Sequence, residues 1–394
     1  EALHKLLGVA PREATLVEFF SDTRSFVQAS GLPADWVETT GTVAICKWDR
    51  MLVLSPRNMP QGYPWLDTLA HEYVHLALSR ASHNKAPVWF QEGSAKLLEG
   101  AWRGGARKGF VGPYAESLLA KAVRDDLLIS FAAMHPSMAA LPSADEAALA
   151  FAQVAYAVDF IFESAGDEGY RRIVEQTSSH GDVLRAIDLV LGASGGRFET
   201  RYTSYLARQD LRIRTNVAGF APSLRDNAAT DPDEEGEALD PILVSDRRMR
   251  DTTRIGDMLR LRGHLQAASI EYERAEDAGP FHSPALANKR ARALRGLSRA
   301  GEAREVLAES VALYPEYTPT VTLLAELATE AGDDRLAIEL SRRSIGLNPF
   351  DPNVHGILAR LYDRASRGEE AAIERVVLEL LETGDRPQHT TETP

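Results

Sequence analysis

Residues 71–75 read His-Glu-Tyr-Val-His, and residues 87–95 read Pro-Val-Trp-Phe-Gln-Glu-Gly-Ser-Ala. On a helix, positions four apart lie on one face, one turn up. His71 and His75 can therefore reach a single metal ion, at about 2.0–2.1 Å each for zinc. Glu72 is offset from that face by one residue and reaches a metal-bound water instead of the metal. Zinc needs a third protein ligand, and a carboxylate serves. Glu92 follows His75 by 17 residues, enough for a turn and an antiparallel return. Gly93 predicts close packing against the first helix. Trp89 and Phe90 are expected to wall the site and exclude water. Pro64 suits the first turn of the helix, where its missing N–H costs nothing. Leu66, Leu69, Ala70, Tyr73, Leu76 and Ala77 give that helix apolar faces to hold it in a core.

Strand signals lie upstream. Residues 14–20 (ATLVEFF), 42–46 and 51–55 are short, β-branched or apolar runs. The last two are joined by Lys47, Trp48, Asp49 and Arg50, which predicts a hairpin. A short helix is expected over 25–30. Pro56, Pro60, Gly62 and Pro64 then break the pattern. From Trp65 to about Thr215 the periodicity is helical. The fold class expected for this part is α+β, a small mixed sheet packed on helices, one of which carries the two histidines.

At this point the sequence resembles the gluzincin metallopeptidases, more narrowly the peptidase MA-like group. The resemblance rests on HExxH followed by W-F-x-E-G-x-A, with every fixed position present, and it covers roughly residues 12–210. It implies that His71, His75 and Glu92 bind one zinc ion and that Glu72 is the general base. Zinc lowers the pKa of a bound water towards about 7. Glu72 would take that proton and pass it to the leaving amine. Relatives often stabilise the oxyanion with a tyrosine on a later helix. Tyr156, in residues 151–162 (FAQVAYAVDFIF), is the candidate and Tyr114 competes. A core tyrosine satisfied by a backbone carbonyl is the bland reading of Tyr156. The resemblance also makes strand 51–55 a holder of extended substrate. Read plainly, it is an edge strand guarded by Lys47 and Arg50.

The last third repeats. Pro280, Pro315 and Pro349 are 35 and 34 residues apart, and Ala268, Ala303 and Ala337 each lie 12 residues earlier. A fourth unit holds Leu358, Ala359, Tyr362 and Ala371 without a closing proline. This pattern resembles the tetratricopeptide repeat, a 34-residue helix pair with small residues where the helices meet. Each unit buries its apolar face only by stacking on neighbours, so an all-α superhelix follows. The resemblance implies a protein or peptide partner and no chemistry. The expected organisation is a gluzincin-like domain over 1–220, an acidic linker over 221–248, about four repeats over 249–384 and a disordered tail over 385–394. Residues 226–237 (DNAATDPDEEGE) bury too little to offset ordering.

The 394 residues carry a formal net charge of −13, which argues against general nucleic-acid binding and against docking on an anionic membrane. No run reaches the roughly 18 apolar residues of a membrane helix, and the nearest, 147–162, is interrupted by Gln153 and Asp159. Cys46 is the single cysteine, so no intrachain disulfide and no Cys-rich zinc site exist; it is expected to be a small buried hydrophobe. The chain begins at Glu1 and not Met, so a segment is expected upstream, and an exported or cell-envelope location is favoured over a cytoplasmic one. Glu99 has two open readings, a partner for a ligand histidine or a solvated carboxylate. His83 sits in a polar turn and is expected in solvent. His135, His180, His264, His282 and His355 have no ligand spacing. Gly104–Gly105 and Gly195–Gly196 are loops. Arg103, Arg107 and Lys108 form a short basic patch whose weak alternative role is to bind acidic groups.

Three functions compete. The first is a zinc peptidase whose repeats recruit substrate or partner. The second is a repeat-based interaction scaffold with a structural or latent zinc site. The third is a metal hydrolase of a non-protein amide.

Overall fold

The computed structural model describes residues 2–8, 14–34, 37, 41–47, 50–59, 62–103, 111–138, 141–192, 197–219 and 240–383. The acidic stretch 226–237, the tail 385–394, the Gly104–Gly105 and Gly195–Gly196 loops, Arg107 and Lys108 lie outside the described residues. The chain divides into two compact units. The first comprises 1–55 with 65–226, and the second 56–64 with 227–394.

The first unit opens with helix α1 (Ala2–Leu7), strand β1 (Leu16–Phe20) and helix α2 (Thr23–Ser30). Asp22 caps α2 by accepting the Ser25 N–H at 2.8 Å, an ordinary N-cap bond. Strands β2 (Ala44–Lys47) and β3 (Arg50–Leu54) pair antiparallel, as the hairpin spacing predicts. β1 then adds in parallel to the other edge of β3, so the order is β1-β3-β2 and the sheet is mixed. This changes one expectation: β3 is the central strand and β2 the edge. The reason is legible in burial, because Met51, Leu52, Val53 and Leu54 are all buried, which a central strand requires and an edge strand does not. Arg50 does not guard an edge. It bonds Glu18 of β1 at 2.6 Å.

Six helices follow: α3 (Trp65–Ala81), α4 (Val88–Leu98), α5 (Pro113–Asp125), α6 (Ala144–His180), α7 (Val183–Leu191) and α8 (Phe198–Leu206). α3 packs on β2 and β3, and α4 packs on α3 and α6. Gly93 does permit a close approach, but to α6: a Cβ there would lie 2.3 Å from the Val154 carbonyl oxygen. Trp89 and Phe90 do not wall a cleft. They are buried among Phe131, Phe198 and Tyr170, with the Trp89 and Phe131 ring centroids 4.3 Å apart. Among the described residues α6 is the one helix long and apolar enough to cross a membrane by length and composition. It is the core helix of this unit, with Val154, Ala157, Val158 and Ile161 buried, and Gly166 (φ 65°) interrupts it.

The second unit is helical. A short α9 (Pro241–Ser245) leads into four helix pairs: α10 (Arg247–Leu261) with α11 (Leu265–Ala278), α12 (Pro284–Gly296) with α13 (Ala300–Leu313), α14 (Thr318–Glu330) with α15 (Asp334–Leu347), and α16 (Pro352–Arg364) with α17 (Gly368–Thr383). Each pair packs internally, and each second helix packs on the first helix of the next pair. Ala268, Ala303, Ala337 and Ala371 are all fully buried where the helices of a pair meet, as the small-residue spacing predicts. Gly256, Ala291, Ala325 and Ala359 do the same on the partner helices. At Gly256 a Cβ would lie 2.5 Å from the Tyr272 ring. The arrangement is tetratricopeptide-like.

Residues 56–64 belong to this second unit. The Tyr63 N–H donates to the Leu347 carbonyl at 3.0 Å, and the Arg57 guanidinium lies 4.2 Å from the Phe350 ring centroid. Gly62 has φ +72°, and a Cβ on it would sit 2.4 Å from Thr318 Oγ1.

Candidate metal centre

His71 and His75 share one face of α3, and Glu92 comes to them from α4. The return path works because Asn84 and His83 take positive φ at the end of α3, and Pro87 opens α4. Among the described residues this is the one set of three His, Cys or acidic side chains able to hold a metal ion. The His71 and His75 Nε2 atoms lie 3.1 Å apart. Glu92 Oε2 is 3.4 Å from His71 Nε2 and 3.5 Å from His75 Nε2. Two ligands at about 2.0–2.1 Å from a tetrahedral zinc stand about 3.3 Å apart, so the triangle of donor atoms fits that ion.

The groups around the triangle are also committed. Glu99, seven residues after Glu92 and at the C-cap of α4, places Oε2 at 3.1 Å from His71 Nδ1. Lys96 Nζ bonds the other Glu99 oxygen at 2.7 Å. Glu99 is thus bonded to His71 and Lys96 and is not a solvated carboxylate. With Nδ1–H given to Glu99, the Nε2 lone pair of His71 faces a second imidazole and a carboxylate. Such a ring needs a cation, a proton or a metal, on that side.

The electrostatics follow. Burial works against a charged His71, but the Glu92 and Glu99 carboxylates outweigh it and push its pKa up to about 9. Burial likewise opposes ionisation of Glu92, yet His71 and His75 hold it below the usual carboxylate range. Burial opposes ionisation of Glu99 too, and His71 and Lys96 hold it low. Glu72 goes the other way. Burial, with Glu92 nearby, raises its pKa against the pull of His75, His71 and the Cys46 N–H, which it accepts as a hydrogen bond.

The triangle opens onto a cleft of about 1060 Å³. One wall is the edge strand β2 with Thr42 and Val43, and the other is built from α3 and α4 through Glu72, Leu76, Gln91 and Lys96. Cys46 lines the cleft and is only partly buried, contrary to the expectation of a small core residue. Tyr156 is not among the lining residues. It is half-buried against the hydrophobic core, and burial, Glu116 and Asp159 raise its pKa. Phe151, earlier on the same helix, reaches the cleft instead. Tyr114 bonds Asp145 Oδ1 at 2.5 Å and is also absent from the lining. His83 is exposed, as expected. His282 and His355, which had no ligand spacing, are each buried against a carboxylate: Glu276 at 2.5 Å and Glu374 at 2.6 Å. Their partners are 6 and 19 residues away, so no local pattern announced them.

No known protein family matches the chain. No curated protein matches it. Solved structures of MamA, a tetratricopeptide-like repeat protein, do match over part of its length. MamA from Desulfovibrio magneticus RS-1, from residue 41 to its end, is 19% identical, covers 35% of this chain and 78% of that one, and has a TM-score of 0.32. MamA AMB-1 is 22% identical over 36% of this chain and 82% of that one, with a TM-score of 0.31. The likeness is to helical repeats as a class.

The expectation of a zinc metallopeptidase stands corrected to what the comparisons give: the solved structures that match are of a repeat protein, over about a third of this chain. Tyr156 lies against the hydrophobic core and not on the cleft, so the geometry gives it no oxyanion role.

Proposed function

We propose that this protein is a repeat-based interaction protein whose first unit carries a structural zinc site made by His71, His75 and Glu92. The observation that carries the reading is the stack of four helix pairs. In α12 and α14 most side chains are buried, because each helix lies between its own partner and the preceding pair. A continuous core of this kind builds a surface for a partner chain and asks for no reaction. Part of that surface is a groove of about 540 Å³ lined by Arg295, Glu326, Glu330, Ile357, Arg360 and Glu382. Its mixed charge suits a protein or peptide with both signs of charge.

The metal site supports the same reading. A structural site uses its ion as a cross-link between elements. Here His71 and His75 come from α3 and Glu92 from α4, so bound zinc would cross-link two helices that Ser79 and Gln91 also join by a hydrogen bond. Glu72, whose presence beside a purely structural ion needs a reason, has one: its carboxylate holds the Cys46 N–H and ties α3 to the sheet edge. Binding to the folded state alone would stabilise it by about 2.7 kcal/mol at a hundredfold excess over Kd.

The test is metal content by mass spectrometry on the full chain and on Glu92→Ala. It is paired with thermal melting with and without a chelator, and with incubation against unfolded casein. The expected result is stoichiometric zinc in the wild type, its loss in Glu92→Ala, a lower melting temperature after chelation and intact casein. Chelator-sensitive casein cleavage that disappears in Glu72→Gln would overturn the reading, as would wild-type protein that binds no zinc.

A further inference from the structure

The two ends of the repeat stack differ from its middle in a specific way. α10 buries Met249, Thr253 and Gly256 on one face. Its other face exposes Ile255 by 45%, Met258 by 50% and Leu261 by 78%, although α9 packs beside it. The repeat register explains why those residues are there. Moving by the 35- and 34-residue periods, Met258 falls on Ala293, Leu327 and Leu361, each fully buried. Ile255 falls on Arg290, which is half-buried, and on Leu324 and Leu358, which are buried, whereas Leu261 falls on the exposed Gly296, Glu330 and Arg364. At Ile255 and Met258 α10 therefore carries apolar side chains of the kind with which an inner helix meets the pair before it, but among the described residues of this unit no pair precedes it.

The other end is also apolar. On α17, Ile373, Val376 and Leu380 form one exposed stripe at helical spacing. In the preceding pair the first two positions hold Glu339 and Arg342, both exposed although another pair follows, so the stripe lies on a side of the helix that stacking does not cover. The apolar stripe is thus confined to the last helix. Solenoids in general end in repeats with polar outer faces, and this one does not.

Charge distinguishes the two ends. α10 contains Arg247, Arg248, Arg250, Arg254 and Arg260 against Asp251 and Asp257. α17 carries Glu369, Glu370, Glu379 and Glu382 against Arg375, with Glu374 turned inward to His355. A basic apolar end faces outward at one terminus of the stack, and an acidic apolar end at the other. Two copies of either end repel, whereas unlike ends attract.

We propose that the repeat stack associates head to tail with a second copy of this chain, the α10 face of one copy seating on the α17 face of the next. The contact is heterologous, so successive copies extend into a filament or close into a ring. Each junction covers both apolar stripes.

The experiment is sedimentation velocity of the full chain from low to high micromolar concentration, with two single-end variants, Met258→Asp and Ile373→Asp. Both positions are exposed, so each variant should melt as the wild type does, and that melt is run as a control. The wild type is expected to grow with concentration and to shrink with added salt. Each variant alone is expected to lose association by at least about tenfold, since a charge then sits at the centre of the contact. Mixed together, the two are expected to form a one-to-one pair, because each retains one intact and complementary end. Wild-type protein that stays monomeric throughout overturns the proposal. So does either variant that still dimerises alone, which would mean that like ends pair or that another segment covers these faces.

Discussion

Glu99 Oε2 stands 3.1 Å from His71 Nδ1, on the far side of the ring from Glu92. A carboxylate in that position fixes the tautomer and the plane of the imidazole, so that Nε2 is presented to the ion with its lone pair. Glu99→Ala should therefore leave all three ligands in place and still weaken metal binding, by about 10–100-fold. Competition with a chromophoric chelator measures it. Glu99→Gln retains an acceptor oxygen and should recover part of the loss. Equal affinity in wild type and Glu99→Ala would make this carboxylate a bystander.

Gly93 follows a proposed ligand and also sets the distance between two helices. A Cβ there would lie 2.3 Å from the Val154 carbonyl oxygen and 2.8 Å from Val158 Cγ2. The first of these is backbone inside α6 and cannot swing aside. Gly93→Ala is expected to cost about 1–3 kcal/mol as an overpacked contact. Because α4 must shift away from α6, Glu92 shifts with it, so zinc content should fall along with the midpoint of denaturant unfolding. A destabilised variant with full zinc content would separate the two roles.

Much of this was legible in the chain. The hairpin, the helix bearing His71 and His75, the convergence of Glu92 and the repeat register all follow from local spacing and periodicity, which sequence displays directly. What escaped was set by distant partners. That β3 is central depends on β1 pairing with it in parallel across 34 positions, from Leu16 to Arg50. Trp89 and Phe90 look like cleft walls from their place beside Glu92, but α6 and α8 supply a larger aromatic core on the other side and claim them. Tyr156 follows from the resemblance alone, and helical phase turns it away: Phe151 faces the cleft and Tyr156 the core. The peptidase reading came from motifs alone. Within HEYVH, His71 and His75 reach Glu92 of α4 and Glu72 reaches the Cys46 N–H of β2, and motif spacing does not distinguish a cross-link from a catalyst.

His355 is a buried histidine with acceptors at both ring nitrogens. Nδ1 is 2.6 Å from Glu374 Oε2, and Nε2 is 3.0 Å from the Pro349 carbonyl. Burial opposes its charge, but Glu374 of α17, the Pro349 carbonyl and Asp351 outweigh that and hold its pKa above the ordinary 6.5. A group whose pKa rises on folding contributes stability that is fully present below its unfolded pKa and is lost as pH rises through the folded one. The contact between α16 and α17 should accordingly be strongest in mild acid and weaken above neutrality. Thermal melts of the full chain across that range, compared with His355→Gln, check it. The variant should show a flatter pH dependence, and an unchanged slope would place the sensitivity elsewhere.

Gly62 lies in the short segment that belongs with the repeats. Its φ of +72° is a conformation that side chains rarely adopt, and a Cβ would also meet Thr318 Oγ1 at 2.4 Å and the Leu347 carbonyl at 2.9 Å. The second obstacle is the same carbonyl that accepts the Tyr63 N–H. Gly62→Ala therefore meets a strained backbone and a clash that a hydroxyl rotation cannot relieve, and the Tyr63 bond must lengthen in response. The loss is expected at about 1–3 kcal/mol for the segment's attachment. It should appear as faster trypsin cleavage after the exposed Arg57, with the helical content of the full chain unchanged. Thr318→Ala removes only one of the two obstacles and should rescue Gly62→Ala in part. Were cleavage after Arg57 equally slow in wild type and Gly62→Ala, residues 56–64 would not depend on that close approach.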